Sequence, residues 1–124
     1  MITYWTVRCP STGLVLGDQV RVAHRPWQRF WGLMGTSQLP SGQGMLFPKT
    51  NAVHAFFMRY PIRLAYLDKE GVVLAVRVLN PWHIGPIVKK ARYVLELPDN
   101  PSTRILNPGD RLTWEVSEDL MQDS

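Results

Sequence analysis

Proline and glycine punctuate this chain so densely that long helices are excluded over most of its length. Ten prolines and nine glycines are spread along 124 residues. Each proline removes an amide donor and crowds the turn before it, so a helix that meets one ends or kinks there. The windows left between them are short and rich in β-branched and aromatic side chains, which suits strands. Strands are expected at residues 3–9, 14–22, 45–47, 53–58, 62–67, 72–79, 92–97 and 111–116. Pro10-Ser11-Thr12-Gly13 reads as the turn of a first hairpin, Gly42-Gln43-Gly44 as a loop leading into Met45, and Asn107-Pro108-Gly109-Asp110 as a turn before the last strand.

One window reads differently. Pro26 stands where a first helical residue would, Trp27, Phe30, Trp31 and Met34 recur at helical spacing, and Gly35 supplies a stop. An amphipathic helix over residues 26–34 is expected, its aromatic stripe packed on a sheet whose core includes Ile62, Leu64, Leu74 and Val76. Residues 101–106 add one further helical turn. Two independent cores would leave each half of so short a chain near the lower limit for folding alone. The expected fold is therefore mainly β: a single compact β-sandwich or barrel-like domain over residues 1–124 with one short amphipathic helix.

Asp68-Lys69-Glu70-Gly71 has the form of a type I turn closed by a left-handed glycine, which sets Asp68 beside Val72. Continued without interruption, that register puts Ile62, Leu64 and Tyr66 on one apolar face with Leu74, Val76 and Val78. It also sets Arg63 directly opposite Arg77. Facing like charges repel, so an anion is expected between them, either an internal carboxylate such as Glu96 or Glu115 or, as the hypothesis preferred here, an external phosphate, sulfate or carboxylate. Arg63→Asp is then expected to raise stability.

Residues 1–114 hold all 14 basic residues and six of the ten acidic ones, so this part of the chain has a charge of +8 against +4 for the whole. The acidic tail, residues 117–124, is expected to screen it in part. Such a body attracts small anions, acidic partners, anionic lipid or nucleic acid. No apolar run approaches the roughly 20 residues of a membrane-spanning helix, and the first residues lack the pattern of a signal peptide. A soluble, cytoplasmic, monomeric protein is expected. The single cysteine, Cys9, cannot form an internal disulfide, which agrees with a reducing compartment.

Motifs that carry chemistry are sparse. The sequence has no phosphate loop, dinucleotide fingerprint, Gly-x-Ser-x-Gly elbow or Cys-x-x-Cys pair. His24, His54 and His83 lie far apart with no second ligand at metal spacing, so no metal and no cofactor are expected. Cys9, inside a predicted strand, reads as an inert buried thiol. His54 opens the run His54-Ala55-Phe56-Phe57-Met58-Arg59, which suits the wall of a half-apolar pocket. Arg59, Lys89, Lys90 and Arg92, with Trp82 and Tyr93, offer the charges and rings used by single-strand nucleic-acid binders, but no RNA-binding signature accompanies them.

Taken in order, Arg29-Phe30-Trp31-Gly32-Leu33-Met34, Gly44-Met45-Leu46-Phe47, His54-x-Phe56-Phe57-Met58, Tyr66-Leu67-Asp68-x-x-Gly71-x-Val73, Val94-Leu95-Glu96-Leu97 and Gly109-Asp110 resemble the bacterial and archaeal family called domain of unknown function 192. The resemblance covers about residues 15–116. It implies one compact, mainly β domain of the sandwich or barrel kind, and it implies no activity, because the family is uncharacterised. Two departures stand out: Arg63 occupies a position where the family usually has Asp, and Asp99-Asn100 replaces a usual glycine after the Leu-Glu-Leu run.

The resulting expectation is a small non-enzymatic β domain that binds a small anionic ligand or a protein partner. Its candidate site draws on Arg29, His54, Met58, Arg59, Arg63, Asp68 and Arg77. The first rival is a hydrolase or lyase with His54 as general base, aided by Asp68 or Glu96. The second is a weak nucleic-acid-binding module.

Overall fold

A computed structural model describes residues 3–23, 39–52 and 60–117. Its strands follow the turn signals closely. After β1 (Trp5–Cys9) the chain reverses through residues 10–13, with Gly13 at a φ of +73° and its amide donating to Cys9 O at 2.9 Å, and returns as β2 (Leu14–Val22). Gly42, also left-handed at +89°, turns into β3 (Gln43–Pro48), so Gln43 and Gly44 already belong to the strand rather than to the expected loop. β4 (Ile62–Leu67), β5 (Val73–Leu79), β6 (Tyr93–Pro98) and β7 (Thr113–Val116) complete the set among the described residues. One short helix, α1 (Pro101–Arg104), forms within the turn expected at residues 101–106. The predicted helix at 26–34, with Trp27, Phe30 and Trp31, and the predicted strand at 53–58 lie outside the described residues.

The strands form one sheet in the order β5-β4-β6-β3-β2-β1-β7, antiparallel except where β2 pairs with β3. The fold is thus mainly β, as expected. The sheet curls without closing into a barrel. At its β5 edge Val72 bridges Arg111, Val73 N donates to Asp110 O at 2.7 Å, and Gly109 N donates to Val73 O at 2.8 Å, so the start of β5 meets the residues that lead into β7.

Both faces of the sheet are covered. The inner core holds Val7, Val20, Leu46, Ala65, Leu95, Leu97 and Leu112; the outer one holds Met45, Phe47, Ile62, Leu64, Tyr66, Leu79 and Val94. Strands β3, β4 and β6 are buried along nearly their whole length on both sides. No helix among the described residues is long and apolar enough to cross a membrane.

Double burial explains one correction. The hairpin tip is as expected: Asp68 N donates to Val72 O at 2.9 Å, and Gly71 is left-handed at +83°. Beyond it Leu67 pairs with Val73 but Tyr66 with Ala75, leaving Leu74 as an extra residue in a bulge. Arg63 therefore opposes Val78, and Arg77 opposes Leu64, on opposite faces of the sheet. Val76 likewise packs with the inner core and not with Ile62 and Leu64. The start of β5 is held from both sides, by β4 and by residues 109–111, and the bulge reconciles the two pairings. Alternation could not forbid it, since the partner strand has no wet face to set the register.

Candidate functional site

Of the expected site residues, Arg29, His54, Met58 and Arg59 lie outside the described residues. The other three are not brought together. Asp68 is committed to the hairpin tip, where its Oδ1 accepts from the amides of Glu70 at 2.8 Å and Val72 at 3.0 Å. Arg77 is exposed, and its Nη1 donates to Val76 O at 2.8 Å.

Arg63 has an internal anion, and it is neither Glu96 nor Glu115. Its Nε and Nη2 donate to Asp99 Oδ1 at 3.2 and 2.9 Å, and Arg104 Nε reaches the same oxygen at 3.3 Å. The Arg63 and Asp99 side chains are only 14% and 18% exposed. Burial alone would raise the Asp99 pKa, but the hydrogen bonds and charges of Arg63 and Arg104 outweigh it and hold the carboxyl below its ordinary value. The two departures that the resemblance implied are therefore each other's partners.

A different arginine lines a cavity. In β2, Val20 and Val22 face the inner core, so Gln19 and Arg21 face the outer side. Parallel pairing aligns Gln19 with Gln43 and Arg21 with Met45, which places all four side chains on one face. Gly44, between Gln43 and Met45, also lines this face, and its lack of a Cβ, which would meet Glu96 O at 2.6 Å, lets β3 lie close to β6. The result is a cavity of about 190 Å³ with Tyr4, Gln19, Arg21 and Gln43 as its polar wall and Leu39 and Met45 as its apolar part. Arg8, Arg63, Arg77, Arg92, Arg104 and Arg111 each donate to a protein oxygen. Arg21, though half-buried, has no such acceptor among the described residues. Along the same row Met45 pairs with Glu96, Glu96 with Leu64, and Leu64 with Arg77, so the fully buried Glu96 sits two strands from each arginine, about 10 Å away. Sequence reading passed over Arg21 because it lies inside an ordinary alternating strand. The available signal was Gln19 and Arg21 at a two-residue interval, together with Gln43 before Met45.

A model of the DUF192 family, described as "Uncharacterized ACR", matches residues 10–114. The chain belongs to the DUF192 family. Its relatives in the family include a UPF0127 protein of Thermococcus sibiricus, 30% identical over 117 residues that cover 88% of this chain and 74% of the other. A UPF0127 protein of Pyrococcus furiosus is 31% identical over 113 residues, covering 84% and 93%. Two crystal structures share the fold. One is a protein of unknown function from Novosphingobium aromaticivorans, with a TM-score of 0.69 at 21% identity over 91% of this chain and 85% of that one. The other, from Sinorhizobium meliloti and provisionally described as a transcription regulator, has a TM-score of 0.64 at 23% identity over 92% and 94%. At these identities the likeness concerns the DUF192 fold alone. The function of the family is unknown.

Proposed function

We propose that this DUF192 protein is a binding protein, without catalytic chemistry of its own, whose ligand is a small anion held at the cavity between β2 and β3. The observation that supports this reading is Arg21, half-buried in the cavity wall with no protein acceptor among the described residues. A guanidinium removed from bulk water needs an acceptor, and a planar carboxylate or a phosphate accepts two of its N–H groups at once. The Gln19 and Gln43 carboxamides and the Tyr4 phenol add neutral donors, while Leu39 and Met45 suit a short apolar portion of the ligand. Arg63 is neutralised by Asp99 and takes no part.

Thermal melts at constant ionic strength test the proposal, with inorganic phosphate and a series of small carboxylates as probes. At least one probe is expected to raise the melting temperature in a saturable way, and Arg21→Gln to abolish the shift. Arg63→Gln lowers the starting stability but leaves the shift intact. Equal shifts in wild type and Arg21→Gln, or none in either, overturn the assignment.

A further inference from the structure

The connection between β5 and β6, residues 80–92, inverts the usual placement of side chains. Trp82 is 60% exposed, Ile84 70% and Ile87 69%, and Val78 at the end of β5 is 44% exposed. This is not a frayed loop. The Tyr66 hydroxyl, rooted in the outer core, donates to Pro86 O at 2.8 Å, and Val88 N donates to Asn51 O at 3.0 Å, so the connection is fastened to the sheet from beneath. Trp82, Ile84 and Ile87 are exposed while Val88 and Ala91 pack against the outer core beneath them.

The backbone at Trp82 points the same way. His83 N donates to Asn80 O at 3.2 Å around Pro81 and Trp82, and Trp82 has a φ of +65°. This is the arrangement of a type II turn, with proline second and a left-handed residue third, a position that ordinarily takes glycine or asparagine. A bulky indole in that conformation is strained, and strain of this kind persists only where the surrounding structure holds it in place.

Charge then selects among partners. Lys89 and Lys90 follow the apolar residues directly and are exposed, on a body whose residues 1–114 carry +8. Nucleic acid is disfavoured by how the nearby ring and guanidinium are committed: the Tyr93 ring packs edge-on against Trp114 with centroids 5.0 Å apart, and Arg92 donates to the carbonyls of Lys89 and Ala91, so neither is turned toward a base. A tryptophan and two isoleucines beside a lysine pair match the chemistry of a bilayer interface, apolar below and anionic at the headgroups. We propose that the connection between β5 and β6 docks this protein on anionic lipid surfaces, seating Trp82, Ile84 and Ile87 in the interface while Lys89 and Lys90 meet the headgroups.

Cosedimentation of the full chain with vesicles tests it independently of the Arg21 cavity. Vesicles of phosphatidylcholine mixed with phosphatidylglycerol are expected to bind at least about tenfold more strongly than phosphatidylcholine alone. Trp82→Ser with Ile84→Ser and Ile87→Ser lowers that binding by about tenfold or more. Should the indole prove necessary for folding, the pair Ile84→Ser and Ile87→Ser carries the test in its place. Lys89→Glu with Lys90→Glu removes the preference for the anionic vesicles, and Arg21→Gln binds them like the wild type. Equal binding to both vesicle types overturns the proposal, as does full binding by the serine variants. So does a protein that ignores vesicles but, in a manner lost in the serine variants, binds single-stranded DNA or forms dimers.

Discussion

The two connections that flank β6 treat polar and apolar side chains in opposite ways. After β6, polar groups turn inward and all find partners. Thr103 is 1% exposed, its hydroxyl donating to Pro98 O at 2.6 Å and accepting from Asn100 N at 3.1 Å, while Asn100 caps α1 by accepting from Thr103 N at 3.0 Å. Asp99 takes Arg63 and Arg104, and Leu106 and Leu112 fill the inner core. Before β6, the chain is fastened by the bonds at Pro86 and Val88 and leaves much of Trp82, Ile84 and Ile87 exposed. The first connection closes one end of a core, where an unpartnered polar group is expensive; the second overlies a face already filled by Tyr66, Leu64 and Ala91. Burial and hydrogen bonding are concentrated in the first, and the second leaves apolar surface exposed.

That contrast is broken if the first connection proves indifferent to substitution. Arg63→Asp places a second carboxylate against Asp99 in a partly buried setting and is expected to lower stability by about 2 kcal/mol or more in chemical denaturation, the reverse of the gain that an Arg63–Arg77 pairing implied. Thr103→Val keeps the shape but strands the carbonyl of Pro98 and the amide of Asn100, at about 1 to 2 kcal/mol by the same measurement.

Acid sharpens the contrast. Because Asp99 has a pKa below its ordinary value when folded, its contribution is complete above about pH 5 and is lost as the pH falls through the unfolded value toward the folded one. The stability difference between wild type and Asp99→Asn should therefore shrink on acidification through that window, read from melts at a series of pH values. A constant difference would mean that the Arg63 pairing does not persist in solution. The smallest effect belongs to the other connection. Ile84→Ser or Ile87→Ser should change the unfolding free energy by less than about 0.5 kcal/mol, because neither side chain is withdrawn from water on folding. A larger loss in either would place that side chain in the core and remove it from any docking surface.

Turns were legible in the sequence. Asp68 and Gly13 act within four residues of their own position, through a side-chain acceptor and a left-handed backbone, and no distant residue alters those requirements. The strands between them were legible as well, apart from their ends and the region outside the described residues, because β-branched runs bounded by proline and glycine have few other choices. The pairing of those strands was not. The bulge at Leu74, the Asp99 carboxylate beside an arginine 36 positions away and the parallel alignment of Gln19 and Arg21 with Gln43 and Met45 all depend on which strand lies next to which. Alternation settles that only when one face of a sheet is wet. Here β3, β4 and β6 are covered on both faces, so apolar pattern left the register open, and hydrogen bonds to segments distant in the chain closed it.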